Sequence, residues 1–394
     1  MTLLEVIKNA SVDSRSRHLP LEYPFVLDSD SILHKLKPKI KDINSSALIK
    51  PLIRWKIPKA DAKLIKINKI FFDTRRKHVK NLDKARFMSS LFSHLESIRR
   101  EVGVLIDVDP GRSDFIRILI DKLGVFMGKD VAGLLLDASV SLRLSEVVEA
   151  LVVNDIIEHS CYSNLVNKLV ERNMSVLLCL CIKRAFHLGS SEILTILRYF
   201  LSPSKSACES MVTVKKEWES QALLAIEQSS DTSRKRKHLL MAKEASILLM
   251  MAYDGFSASE TCLHYLIASS NINDVMLSPS FSKLNDRELI NLIRYLTKWL
   301  KKYQRFPQAR PCPEASSVLH LEACDWVPKL EDVIKCLGLV LDENFSSLVL
   351  LPQFHEELRS IEVVVSSLTA EAKFCHLMAD VVVKLKIEVK GGNN

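Results

Sequence analysis

A helical spacing of apolar residues runs through most of this chain and limits it to an all-α fold. From Ser113 to about Tyr253 the sequence predicts consecutive helices, with breaks at 124–129, 154–160, 189–190, 202–206 and 229–233. Gly is scarce, at 10 residues in 394, which argues against turn-rich β folds. Since no repeat of fixed period is present, we expect a solenoid-like or irregular helical array.

The most regular pattern lies near the C-terminal end. Apolar residues from Phe354 to Val382 are spaced alternately by four and three residues, which predicts a long helix with a heptad-type seam. We expect this partner-helix seam to pack either within the chain or on the helices of another protein. Its defining residues are Leu358, Ile361, Val365 and Leu368.

A second amphipathic helix is predicted to begin at Asn285. Glu288 follows three residues later, which resembles a capping box, and the helix should end before Pro307 because proline cannot continue it. One side of this helix is apolar. The other side forms a second basic face with five cations at helical spacing: Arg287, Arg294, Lys298, Lys301 and Arg305.

Positive charge is concentrated in a basic segment between Lys35 and Arg86. The segment has 17 Lys and Arg against four Asp, whereas the whole chain carries a net charge of only +8. Trp55, Phe71 and Phe72 lie among the cations, as expected of a surface that binds single-stranded RNA by charge and stacking. We expect RNA or an RNA–protein assembly, with an acidic protein or no partner as alternatives. The RNA-contact candidates are Lys35, Lys37, Lys39, Lys41, Arg54, Lys56, Arg75, Arg76 and Lys77.

A short basic cluster follows the polar loop at 229–233. It consists of Arg234, Lys235, Arg236 and Lys237, the type of exposed cluster that serves as a nuclear localisation signal. The alternative is a solvated helix start with no role in import. This cluster is the candidate for directing the protein to the nucleus.

No motif marks a catalytic, cofactor or metal site. The stretch at 124–130 has the wrong spacing for a phosphate-binding loop, and no nucleophile elbow is present. Nine scattered cysteines indicate a reducing compartment, and no apolar run approaches the roughly 18 residues of a membrane span. We expect no enzyme activity, cofactor, small-molecule substrate or membrane contact. The closest metal-ligand pairs, which lack a second pair at zinc-finger spacing, are Cys179 with Cys181, Cys262 with His264, and His320 with Cys324.

These patterns divide the chain into three parts. Residues 1–58 contain repeated prolines and an alternation of Ile53, Trp55 and Ile57 with cations, which predicts an irregular, partly β-like entry segment. Residues 59–270 are expected to form a helical body. Residues 285–390 are expected to form a C-terminal helical region.

The C-terminal region combines two distinctive helix patterns. A basic LxxYLxxWLxxY helix runs from Leu292 to Tyr303, and a helix opened by Pro328 ends in Leu341–Asp342, with Phe345 three residues on. In these residues the chain resembles the C-terminal region of the nucleolar protein 11 family. Members of that family are subunits of the early subcomplex of the small-subunit processome, the nucleolar assembly that processes pre-rRNA.

The resemblance implies a non-catalytic scaffold in ribosome biogenesis. Family members hold other subunits through an N-terminal β-propeller and a helical C-terminal domain, and they are linked to rDNA transcription. The expected location is the nucleus and nucleolus, and the expected partners are processome proteins and pre-rRNA. No propeller is recognisable ahead of the helices in this sequence. A helical-repeat adaptor in transport or trafficking is the alternative, and an enzyme comes third.

Overall fold

A computed structural model describes residues 59–77, 83–104, 114–184, 188–231 and 235–391. Within them lie 17 α-helices and no strand, so the all-α prediction is confirmed. No helix among these residues is long and apolar enough to cross a membrane. The predicted entry segment 1–58 lies outside the described residues. The domain boundaries remain predictions.

The first eight helices form a two-layer stack. They are α1 Lys59–Lys77, α2 Lys84–Val102, α3 Phe115–Leu123, α4 Lys129–Ser141, α5 Ser145–Val153, α6 Tyr162–Glu171, α7 Ser175–Arg184 and α8 Ser190–Leu201. Helices α3, α5 and α7 pack successively in one layer, and α4, α6 and α8 pack successively in the other. This order is that of an α-solenoid, in which each helix pair packs on the next.

Three turns in this stack share one backbone geometry. Arg143, Asp155 and Asn173 have φ values of 54°, 52° and 54°, in the left-handed region that residues other than glycine rarely adopt. After each of them, the next amide donates to the carbonyl five residues earlier, as Leu144 does to Ser139 at 2.8 Å. This is the Schellman geometry of helix ends. The solenoid repeat is therefore visible in the turns, although the sequence has no fixed period.

The later helices pack around a long central helix. They are α9 Lys205–Ser230, α10 Arg236–Tyr253, α11 Ala258–Ile267, α12 Asp274–Phe281, α13 Asp286–Arg305, α14 Glu314–Leu319, α15 Leu330–Glu343, α16 Phe345–Leu350 and α17 His355–Gly391. The central helix, α13, contacts α8, α15 and α17, while α9 and α10 form an extensive helix pair beside α11. The buried apolar residues of both halves join in one continuous core.

A buried aromatic cluster fixes α11 against α13. The centre of the His264 ring lies 5.2 Å from that of Trp218 and 4.9 Å from that of Trp299. Its Nε2 donates to the carbonyl of Ala252 at 3.0 Å, and its Nδ1 accepts from the Tyr295 hydroxyl at 2.9 Å. Burial lowers the pKa of His264 to about 3 because an imidazolium would lose its hydration here. His264 is thus a neutral, fully hydrogen-bonded core residue.

Candidate interaction surfaces

The base of the C-terminal helix is the face of α13 on which α17 packs. At the start of α13, Glu288 Oε2 accepts from the Asn285 amide at 3.0 Å, and Asn285 Oδ1 accepts from the Glu288 amide at 2.9 Å. This reciprocal pair is a capping box, as the sequence indicated. The apolar face of α13, including Leu296 and Trp299, is buried. The helix is therefore a rigid support for α17.

The predicted seam is only partly the surface by which α17 contacts this base. Ile361 is buried, and Leu358 and Leu368 pack at the edge of the core, but Val365 is 40% exposed. Val364 is buried in its place, because it follows Ile361 by three residues and turns to the same side of a helix. The body-facing surface is therefore displaced from the heptad pattern.

Polar contacts fix the proximal part of α17, which we define as residues 355–368. Arg294 Nε lies 2.6 Å from Glu357 Oε1, and Gln304 Nε2 donates to Ser367 Oγ at 2.8 Å. Both contacts join α17 to α13. Together with Ile361 and Val364, they fasten the proximal part along the length of α13.

The distal part of α17, residues 369–384, has a different environment. Every side chain in it is exposed, including five apolar residues that lie one or two turns apart on one helical face. Between 45% and 64% of each of these side chains is exposed to solvent. A contiguous apolar surface of this kind marks an interaction site more often than scattered apolar residues do. We call this surface the distal strip: Phe374, Leu377, Met378, Val381 and Val382.

A cavity lies where α17 extends beyond its base. Its volume is about 630 Å³, and its walls include Tyr303, Pro307 and Leu330 from the body and Ala372 and Cys375 from α17. Leu368 and Glu371 also line the cavity from α17, and Lys329 and Glu331 line it from the body. A partner on the distal part of α17 would therefore meet the distal strip on one side of that helix and a cavity of mixed polarity on the other.

The predicted second basic face is partly neutralised within the chain. Arg294 pairs with Glu357, and Lys298 Nζ lies 2.6 Å from Glu260 Oε1. Arg287, Lys301 and Arg305 are exposed. Three of the five predicted cations thus have no carboxylate partner among the residues that the structure describes, and their role in binding remains a prediction.

Of the basic segment, the structure describes only the part that lies on α1 and at the start of α2. Arg75, Arg76 and Lys77 belong to the last turn of α1, and their side chains lie outside the description. Lys66 and Lys69 are exposed. The candidates Lys35, Lys37, Lys39, Lys41, Arg54 and Lys56 precede the described residues.

The aromatic residues of this segment have a structural role where they are described. Phe71 is 7% exposed and stacks on His94 with the ring centres 4.2 Å apart, and Phe72 packs at the edge of the core. Phe71 has little surface left for a nucleobase. The stacking role that the sequence suggested for this residue therefore does not fit its burial.

The candidate nuclear localisation cluster lies at the start of α10. Lys235, Arg236 and Lys237 are exposed, and Lys237 Nζ lies 3.1 Å from Glu314 Oε2. Arg234 precedes this described stretch. The three described residues are accessible, as binding to an import receptor requires, and their function remains a prediction.

The residues that come closest to metal-ligand pairs in the sequence are mostly core residues. Cys179, Cys181, Cys262 and Cys324 are buried thiols, and burial raises the pKa of Cys181 to about 12, which disfavours the thiolate that metals bind. No group of three ligating side chains that could hold a metal ion occurs in the part of the chain that the structure describes.

Comparison with known proteins identifies no relative. No family model matches the chain, and no curated protein gives a significant match. What can be said of function therefore comes from the residues themselves and from the C-terminal resemblance.

Proposed function

We propose that this protein is a non-catalytic scaffold subunit of the small-subunit processome that acts in ribosome biogenesis in the nucleolus. The distal strip of α17 carries this proposal, because a subunit of a larger assembly needs an apolar surface that its own fold leaves uncovered. The expected partners are processome proteins, with pre-rRNA or its ribonucleoprotein near the basic segment.

The placement of the resembling residues supports the same proposal. Tyr295, Trp299 and Leu300 are fully buried in α13, and Tyr303 donates from its hydroxyl to the Pro328 carbonyl at 2.6 Å. The resemblance to the nucleolar protein 11 family thus falls partly on core residues of α13, the helix on which the proximal part of α17 packs. α13 in turn supports the helix that carries the distal strip.

Affinity purification with mass spectrometry tests the proposal most directly. The full chain should capture processome subunits, and Leu377→Glu should remove them because it puts a charge in the middle of the distal strip. The matched control is His376→Glu, which introduces the same charge at the adjacent exposed position outside the strip. Vesicle-coat or transport proteins in place of processome subunits would contradict the proposal.

Localisation tests the nuclear part of the proposal. The tagged full chain should concentrate in nucleoli, and alanine at Arg234, Lys235, Arg236 and Lys237 should shift it toward the cytoplasm. Replacing Lys205, Lys216 and Lys243, which are exposed elsewhere on α9 and α10, controls for loss of positive charge. A cytoplasmic or vesicular location of the intact protein would exclude a nucleolar role.

RNA contact is tested by charge removal in the entry segment. Alanine at Lys35, Lys37, Lys39 and Lys41 should weaken binding to a pre-rRNA fragment and lower the slope of log affinity against log salt. Each lost phosphate contact reduces that slope by about one unit. An unchanged slope would show that these residues do not contact RNA.

The two-layer stacking of α3 to α8 favours a second candidate function. Solenoids of helix pairs present extended surfaces to protein partners, so a helical-repeat adaptor in transport or trafficking has support from the same fold. The location of the tagged protein distinguishes the two, because an adaptor of that kind would be found on vesicles or transport structures and not in nucleoli.

A further inference from the structure

A groove runs along the exposed side of the α1–α2 hairpin. Lys63 near the start of α1 pairs with Glu101 near the end of α2 at 2.9 Å, so the two helices run antiparallel. The cavity between them measures about 770 Å³. We call it the α1–α2 groove.

Its two walls differ in chemistry. Ile67, Ile70 and Phe71 line it from α1, whereas Ser89, Ser93 and Ser97 line it from α2 at intervals of one turn. Ile70 is 57% exposed, which is unusual for an isoleucine next to a core. A row of serines leaves space for close approach of another backbone, and the isoleucines provide apolar surface for it.

A buried histidine with an unused nitrogen lies in the same groove. His94 is only 4% exposed, lines the cavity, and its Nε2 has no hydrogen-bond partner. Burial lowers the pKa of His94 to about 4, so the ring is neutral at pH 7. Leaving a buried polar atom unsatisfied destabilises the folded protein. Because Nε2 is shielded from solvent, a ligand with a hydrogen-bonding group would satisfy it only if the groove walls move as the ligand docks.

The rim of the groove is positively charged. Arg86 lines one end, Arg100 is exposed one turn beyond Ser97, and Lys66 is exposed beside Ile67. None of these three is in an ion pair within the described residues. The acids Glu96 and Glu101 are already paired with Arg99 and Lys63. Asp73 and Asp83 are exposed near the end of the groove that Arg86 lines. The cations used by a ligand are therefore Arg86 and Arg100 on the α2 side, which favour an acidic one.

We propose that the α1–α2 groove docks an acidic, amphipathic helix from a partner protein. Apolar side chains one turn apart on that helix would pack on Ile67 and Ile70, its backbone would approach the serine row, and its acids would meet Arg86 and Arg100. These two arginines are 14 residues apart along α2, or about 21 Å, so the docked helix has about four turns. This site is separate from the distal strip and does not depend on the nucleolar assignment.

Charge and burial favour this occupant over the others. RNA would bring phosphates to the rim but would have no use for the exposed isoleucine, and Phe71 is too buried to stack on a base. An acidic partner helix satisfies the apolar wall and the cations together.

Site-specific photocrosslinking of the full chain in cells tests the proposal. Thr74, an exposed residue that lines the groove outside the serine row, is replaced by p-benzoylphenylalanine, and the crosslinked peptide is identified by mass spectrometry. We expect an adduct with an acidic segment of another protein whose apolar residues recur every three or four positions. The same reagent at Ile65, which is exposed on the other side of α1, is the matched control and should not give this adduct.

Two variants connect the adduct to the residues that carry the proposal. Arg86→Glu with Arg100→Glu should reduce it roughly tenfold or more, while Lys122→Glu with Arg184→Glu, which changes the same charge at exposed positions on α3 and α7, should not. His94→Phe should also reduce the adduct roughly tenfold without lowering the melting temperature of the free protein, because it removes the unsatisfied nitrogen.

Other outcomes overturn the proposal. An adduct with residues 1–57 of the same chain, with a second copy or with RNA would assign the groove to a different occupant. An adduct no stronger at Thr74 than at Ile65 would show that nothing docks there. A fall in melting temperature of His94→Phe together with an unchanged adduct would make His94 a purely structural residue.

Discussion

The proximal and distal parts of α17 belong to one continuous helix but have opposite surroundings. The proximal part packs on α13 through Ile361 and Val364 and is held by the Arg294–Glu357 pair. The distal part exposes all of its side chains, including the apolar ones. The same helix therefore contributes to the core of its own fold at one end and provides a free apolar surface at the other.

This difference shows that helical periodicity and burial are separate properties. Both parts of α17 have apolar residues at helical spacing, yet within the described ranges only the proximal part is buried against another helix. A helix of this length gains most of its stability from packing, so the distal part depends on the proximal part for its conformation. Changes at the base should alter folding, whereas changes in the distal strip should alter association alone.

The largest effect is expected in the core of α13, the helix that supports the proximal part of α17. Trp299→Ala should lower the free energy of unfolding by about 3–5 kcal/mol, because it empties the centre of the aromatic cluster. Phe374→Ala in the distal strip should change it by less than about 0.5 kcal/mol. Urea unfolding followed by circular dichroism measures both, and equal losses would contradict the comparison. If Trp299→Ala does not fold, Trp299→Phe gives a smaller loss at the same position.

Acid should weaken the packing of α11 on α13 through His264. Its pKa is about 3 in the folded protein and about 6.5 in an unfolded chain, so the unfolded state binds an extra proton between these values. The free energy of unfolding should therefore fall by about 1.4 kcal/mol per pH unit as the pH decreases from 6.5 toward 3. His264→Gln should reduce this slope, and His376→Gln in the distal part should leave it unchanged; identical slopes in all three proteins would refute this role.

A smaller effect is expected from the ion pair that fastens the proximal part. A double-mutant cycle with Arg294→Ala and Glu357→Ala should give a coupling energy of about 0.2–1 kcal/mol, because the arginine is largely solvated. The coupling should decrease at high salt. Arg359→Ala, at an exposed position one turn from the start of α17, should show no coupling with Glu357→Ala.

The smallest effect on stability should come from removing the distal part altogether. A chain that ends at Thr369 should unfold with a free energy within about 0.5 kcal/mol of the full chain, because the removed side chains contribute little to the core. The same truncation should abolish capture of the partners that Leu377→Glu disrupts. A large loss of stability would show that the distal part is packed within the protein.

The sequence predicted the helices because their signals are local. Apolar spacing, the cap at Asn285 and the length of α17 need only neighbouring residues. The turns at Arg143 and Asn173 were missed, since no glycine or proline marks them and their left-handed backbone is stabilised by the Schellman hydrogen bonds. Asn173 carried a weak signal, because asparagine adopts this conformation more readily than most residues.

The candidate sites were predicted less well because they depend on contacts distant in sequence. Glu260 and Glu357 lie 38 and 63 residues from the α13 cations that they neutralise, and no local pattern reports such pairs. The distal strip could have been found from sequence as a second apolar row beside the heptad seam. The α1–α2 groove could not, because its unsatisfied histidine appears only when two helices are packed together.

The exposed distal strip also has a consequence for the abundance of the protein in cells. A molecule made without its partner would display an apolar helix face, and such surfaces lead to aggregation or removal by quality control. We therefore expect the amount of this protein to follow the amount of the partner that covers α17. Depleting that partner should shorten the lifetime of the full chain but not that of a chain ending at Thr369.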